Sequence, residues 1–272
     1  MAMLQVLRRR DNEAQRFRRG MYLLPSLFTL ANLFCGYACV IFATRGEYAT
    51  AAPFIGIAVV LDMLDGRIAR LTGATSDFGR EFDSLADVVS FGVAPAVLAY
   101  TWGLSTYGRL GWAVGFVFVS AAAIRLARFN IQSVAHPDKR YFVGMPSPAA
   151  AGVPAATVFA YPYGLTDWYA ALAVPVLLVP ALLMVSTIKY RSFKTFDLGR
   201  RRPVNGLILA ALGITAIATF PQWTLLTLAY VYLLSAFIGL AWTRLRSRPR
   251  EATSSEFEAV DMPARRVHGD DL

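Results

Sequence analysis

Long apolar runs, cut at charges, glycines and prolines, limit what this chain can fold into more than any other feature of it. A helix that crosses a bilayer needs about 20 mainly apolar residues. The runs divide into eight such spans, 24–43, 48–69, 82–103, 110–130, 148–165, 168–188, 205–220 and 223–242, with only Phe220, Pro221 and Gln222 between the last two. A soluble chain of 272 residues would carry more charge and would place its apolar residues in stripes. Here 56% of residues are hydrophobic and 17% charged, and the mean hydropathy is +0.45. The predicted fold class is all-α, a polytopic transmembrane helical bundle of about eight spans. It would be preceded by a short basic interfacial segment over 1–22, with the transmembrane domain over 23–243 and an aperiodic, disordered tail over 244–272.

Basic residues orient the spans. With both termini on the cytoplasmic side, that side holds 25 of the 27 Lys and Arg residues, and only Arg45 and Arg109 fall outside. Such a split is what the positive-inside rule expects. The net charge of +9 then reads as attraction to anionic lipid headgroups, with no nucleic-acid partner. The basic N-terminal stretch leads into a full-length span with no cleavage pattern after it, so the first helix is expected to stay in the membrane. Cys35 and Cys39, four apart in that span with no histidine near, are expected to pack as small hydrophobes. His136 and His268 stand alone and take no role.

Against this background one stretch is out of place: LDMLDGRIARLTGATSDFGREFDSLADVV, residues 61–89. A charge in mid-bilayer costs about 3 kcal/mol on insertion scales, and here Asp62, Asp65, Asp83 and Asp87 stand among apolar runs. At helical spacing Asp62 and Asp65 share a face with Gly66 and Ala69, and Gly79, Asp83 and Asp87 share another. Two antiparallel helices joined by a short turn can bring these faces together, with small residues leaving room for a ligand beside the carboxylates. Four such charges need protons or cations. All-oxygen ligation suits Mg²⁺ or Mn²⁺, whose spare coordination positions commonly take substrate phosphates. Pairing with Arg67, Arg70 and Arg80 is the competing reading, and it does not explain the small residues.

The pattern D62-x2-D65-G66-x2-A69-R70-x8-G79-x3-D83-x3-D87 matches the signature of the CDP-alcohol phosphatidyltransferase family at all eight fixed positions. The chain thus resembles that family of homodimeric helical membrane enzymes. The resemblance implies that Asp62, Asp65, Asp83 and Asp87 hold two divalent ions on a CDP diphosphate, with Gly66, Ala69, Arg70 and Gly79 near the nucleotide and Asp87 as general base. The segments SLADVVSFGVAPA, AIRLARFN (123–130) and YFVGMPSPAAAG (141–152) are similar to the membrane-embedded phosphatidylserine synthases of bacteria and archaea. That similarity implies CDP-diacylglycerol and L-serine as substrates, phosphatidylserine and CMP as products, a homodimer, and an active site on the cytoplasmic side. One departure is Pro25-Ser26, where the subfamily has Pro-Asn. Thr29 and Asn32 follow on one face of the first span, within reach of nucleotide or metal.

Serine differs from a bare alcohol by a carboxylate and an ammonium. Arg125 and Arg128, three apart at the end of the fourth span, are candidates for the carboxylate or the diphosphate, because guanidinium captures such groups bidentately. Lys189 and Arg191 are further candidates. Ser147, Ala151 and Ala155, at spacing four, form a face that lets helices approach closely. Two alternatives compete: a family member acting on glycerol 3-phosphate or an inositol phosphate, which would need a denser basic pocket, and a cation transporter or channel.

Overall fold

The computed structural model describes residues 26–72, 76–135, 141–187, 189–191 and 203–246. The basic arm expected over 1–22 therefore lies outside the described residues, as does the expected tail beyond 246, while residues 244–246 continue the last helix rather than begin a tail. Among the described residues eight α-helices follow one another: α1 (Ser26–Thr44), α2 (Tyr48–Thr72), α3 (Asp77–Trp102), α4 (Arg109–Ala135), α5 (Ser147–Ala160), α6 (Ala173–Val185), α7 (Pro203–Thr219) and α8 (Pro221–Arg246). Five helical stretches are long and apolar enough to cross a membrane; the fifth is Trp168–Val185, in which a 3₁₀ turn (Asp167–Leu172) runs into α6. Large side chains such as Leu30, Phe34 and Tyr37 on α1, Trp112 and Phe116 on α4 and Leu212 on α7 are exposed. Faces of this kind would be a liability in water and suit contact with lipid tails.

The predicted spans fall on these helices, with shifts that have local causes. The third helix begins at Asp77, five residues before the predicted start, because Ser76 caps it: its Oγ accepts from the Gly79 amide at 2.9 Å. A side-chain cap of this sort satisfies one of the orphan N–H groups of a helix start, and the polar first turns it supports are invisible to a hydropathy window. The fifth helix stops at Ala160 rather than 165, since Tyr161 leaves the helical region and Pro162 follows, a residue that cannot continue a helix. The division of the last pair falls at Phe220, with Pro221 opening α8, where proline's missing N–H costs nothing.

Small side chains set the helix spacing. Ala51, Ala52 and Ala58 of α2, Ala94 and Ala99 of α3 and Ala150, Ala151 and Ala155 of α5 are buried, with Phe91, Leu98 and Phe118 filling the space between. The Ser147, Ala151, Ala155 face is buried throughout, and α5 packs chiefly against α2 and α8. Cys35 and Cys39 are buried free thiols in the core.

Two short strands add to the helices. β1 (Tyr141–Val143) pairs antiparallel with β2 (Lys189–Arg191), Val143 opposite Lys189 and Tyr141 opposite Arg191. Gly144, at φ +83°, turns the chain from β1 toward α5, and a Cβ there would strike the Met184 carbonyl oxygen. Met145 N then donates to Leu183 O at 3.0 Å, so the ends of β1 and α6 are joined by backbone bonds. At the far end of the bundle, a cavity of about 600 Å³ opens between α5, α6 and α8, lined by Trp102, Val153, Thr157, Tyr161, Tyr230 and Leu233 among others.

Candidate active site

The two aspartate pairs meet where α2 ends and α3 begins. Oxygens of Asp62, Asp83 and Asp87 lie within 4.8 Å of one another. Asp65 stands beside them, close enough to interact electrostatically with Asp83 and Asp62, and is 5% exposed against 7% for Asp87. Three of the four carboxylates thus share one focus, and the fourth flanks it. A Cβ placed on Gly66 would meet only Arg70 Nη2, at 3.9 Å, so the surface beside Asp65 is open. Gly79 has a second task that the spacing argument did not foresee, lying against the capping Ser76. Ala69 occupies the helical position expected, and Arg70 is exposed at the end of α2.

Helix α1 lies against these carboxylates. Thr29 Oγ1 donates to Asp65 Oδ2 and Asn32 Nδ2 to Asp87 Oδ1, both at 3.2 Å. Ser90 Oγ donates to the Asn32 carbonyl at 2.9 Å. Ser90 belongs to a π-helical turn, Val89–Val93, that interrupts α3 one residue after Val88. Such wide turns are frequent at functional sites, and Pro95, with no N–H to give, stands two residues beyond its end.

Of the two arginines singled out on α4, Arg125 is the one placed at the carboxylates. Its guanidinium interacts electrostatically with Asp87, Asp62 and Tyr232, donates through Nη1 to Ser147 Oγ at 2.8 Å, and lies 5.6 Å from the Phe129 ring centre. Arg128 turns instead to the end of α6, where Nη1 donates to the Val185 carbonyl at 3.3 Å. Lys189 and Arg191 stand in β2. Sequence reasoning missed Ser90, Tyr232 and the Asn130 Nδ2 to Ser84 Oγ bond of 2.8 Å, which ties α4 to α3. Ser90 had a signal, since it continues the face of Asp83 and Asp87 at helical spacing; Tyr232, far along the chain, had none.

The residues fit a hard divalent cation. Among the described residues no ion pair joins any of the four aspartates to a basic side chain; Arg80 pairs with Asp77 and Glu81 instead. Asp83 Oδ1 is buried and without a hydrogen-bond partner. Three ionised carboxylates at this spacing would repel by roughly 3 kcal/mol per pair at an effective dielectric of about 20. An all-oxygen donor set with an unsatisfied oxygen is what Mg²⁺ or Mn²⁺ takes. Asp62, Asp83 and Asp87 would hold the ion, with Asp65 at its side.

A helical membrane protein whose acidic cluster lies at the end of two spans, with an arginine facing it, has the parts of a metal-assisted enzyme acting on a phosphorylated lipid. The sequence model of CDP-alcohol phosphatidyltransferases matches residues 22–188. The chain belongs to the CDP-alcohol phosphatidyltransferase family, whose members generally depend on divalent cations, and it is an integral membrane protein. It is 42% identical over 179 residues to a CDP-diacylglycerol–serine O-phosphatidyltransferase of Helicobacter pylori, covering 64% of this chain and 74% of that one. To the protein of the same name in Bacillus subtilis it is 35% identical over 179 residues, covering 64% and 93%. An archaetidylserine synthase of Methanothermobacter thermautotrophicus is 34% identical over 170 residues, covering 61% and 69%.

Proposed function

We propose that this protein is a phosphatidylserine synthase, transferring the phosphatidyl group of CDP-diacylglycerol to the hydroxyl of L-serine and releasing CMP. The observation that carries the reading is the focus of three carboxylates within 4.8 Å, faced by an arginine that donates to Ser147 Oγ. The names of the relatives support serine as the acceptor.

Bound divalent ions, two by family resemblance, would neutralise the diphosphate and the charge that develops on the departing CMP phosphate. The chain's own residues do the rest. Asp87 takes the proton of the serine hydroxyl as its oxygen attacks the phosphorus of the phosphatidyl group. The new P–O bond forms while the bond to CMP breaks, and CMP leaves with the electron pair. Asp62, Asp65 and Asp83 complete the acidic cluster. Gly66, Ala69, Arg70, Gly79, Thr29 and Asn32 border the nucleotide and diphosphate. Arg125 receives the serine carboxylate, a role suited to its planar fork of donors, with Arg128, Lys189 and Arg191 as further candidates for serine or phosphate.

In this reading residues 23–243 work as one catalytic unit, in a homodimer, with the acidic cluster and both termini on the cytoplasmic side. The test is headgroup exchange with purified protein in micelles, offering labelled L-serine, glycerol 3-phosphate and inositol phosphate in parallel. Serine alone should be incorporated, in step with CMP release. Use of either phosphorylated alcohol without serine would assign a different family reaction.

A further inference from the structure

Asn32 is fully buried, and its amide serves the site in an unusual way. A carboxylate offers only acceptors, so the amide nitrogen must face Asp87 Oδ1, at 3.2 Å. That fixes the carbonyl Oδ1 on the other branch of the amide, where it is buried and meets no donor. An asparagine retained for packing would have both ends satisfied, as buried polar groups generally do. Here the end that touches the carboxylate is the one that is paired.

The backbone of Asn32 is held as firmly as its side chain. Ser90 Oγ donates to its carbonyl, from a turn of α3 three residues beyond Asp87. The approach of the two helices depends on Gly36, one turn along α1: a Cβ there would stand 2.6 Å from Ser90 Oγ and 2.8 Å from Ser90 Cα. The second of these atoms is backbone and cannot swing aside. A glycine, a serine in a π-helical turn and an asparagine therefore form one run of contacts ending on Asp87.

We infer that Asn32 is a positioning residue for Asp87, and that Gly36 and Ser90, by setting the approach of α1 to α3, hold that carboxylate where a divalent cation is to be bound. The inference rests on the proposed metal-dependent transfer, and it gives Asn32 a task other than contact with nucleotide. Groups that orient a metal-binding side chain commonly influence affinity or activity by about 10- to 100-fold.

The experiment is a Mn²⁺ titration of the full-length protein in nanodiscs, followed by electron paramagnetic resonance without any nucleotide, alongside steady-state kinetics. Asn32→Leu should weaken Mn²⁺ binding about tenfold and lower kcat, while KM for CDP-diacylglycerol stays within about twofold. Gly36→Ala touches no substrate and keeps the Asn32 side chain itself, yet by moving α1 against α3 it should shift Mn²⁺ binding and kcat in the same direction. The double variant should lose less than the two single losses combined, as expected for residues acting through one contact. An unchanged Mn²⁺ midpoint with a raised KM for CDP-diacylglycerol would make Asn32 a nucleotide contact and overturn the inference. A lower melting temperature with Mn²⁺ binding and kcat intact would reduce it to a packing residue. If Asn32→Leu does not fold, Gly36→Ala decides alone, and wild-type Mn²⁺ affinity in that variant would refute the coupling. Should the wild-type protein fail to use serine, the proposed function falls, while the Mn²⁺ titrations still judge the positioning role.

Discussion

The acidic end of the bundle and the aromatic end treat buried polar atoms in opposite ways. The two lie about 22 Å apart along α3, from Asp87 to Trp102. At the aromatic end the buried polar side chains of the described residues find partners within the protein. Tyr48 Oη donates to Thr101 O at 2.6 Å, and Trp102 Nε1 donates to Tyr161 O at 3.0 Å. Thr157 Oγ1 gives its hydrogen to Val153 O at 2.7 Å, so the Tyr230 hydroxyl, 3.1 Å away, is the donor to Thr157. At the acidic end, Asn32 Oδ1 and Asp83 Oδ1 are buried with no partner, and among the described residues they are the two side-chain atoms in that state. Leaving a buried acceptor unpaired costs about 1 to 3 kcal/mol. The difference separates the part of the molecule that is finished as it stands from the part that is completed by what it binds.

The sharpest way to break this contrast is Asp87→Asn. Serine-dependent CMP release should fall by about 10³-fold or more, while the melting temperature should equal or exceed that of the wild type because one like charge has been removed. Turnover above about a tenth of wild type would take proton transfer away from Asp87.

An effect of comparable size should come from the cation itself. Chelation should abolish transfer, and added Mn²⁺ should restore it and raise the melting temperature by mass action. Asp62→Asn combined with Asp83→Asn should lose that thermal response. A response that survives would move the cation elsewhere.

Arg125→Lys keeps the charge and loses the fork. KM for serine should rise about tenfold, with KM for CDP-diacylglycerol little changed. Arg128→Lys should do less, since Arg128 is turned to the Val185 carbonyl. A reversed order would put the acceptor's carboxylate at Arg128.

The mildest change belongs at the aromatic end. Tyr230→Phe removes one satisfied hydrogen bond and should cost about 1 kcal/mol in stability, read by thermal unfolding, with kcat and both KM values unchanged. A catalytic defect there would show that the two ends are coupled.

Much of this arrangement could be read from the chain. The eight helices follow from apolar length, and the meeting of Asp62, Asp83 and Asp87 follows from their spacing at the ends of neighbouring antiparallel helices. What escaped was whatever depends on a local backbone event or on distance along the chain. The Ser76 cap starts α3 in polar sequence that hydropathy discounts. The π-helical turn at Val89–Val93 is written in no periodicity, yet it carries the contact with Asn32. Arg125 and Arg128 look equivalent by spacing, and the choice between them is made by Ser147 and Val185, which arrive from α5 and α6.

The recognisable family region stops at residue 188, whereas the walls of the fold do not. Tyr230 and Leu233 of α8 form one side of the cavity between α5 and α6, and Tyr230 is hydrogen-bonded to Thr157 inside that region. A chain shortened after β2 would keep all four aspartates of the acidic cluster and lose the hydroxyl that Thr157 accepts from. The last helix is thus a wall of the bundle rather than an appendage, and what it contributes there is closure of the gap between α5 and α6.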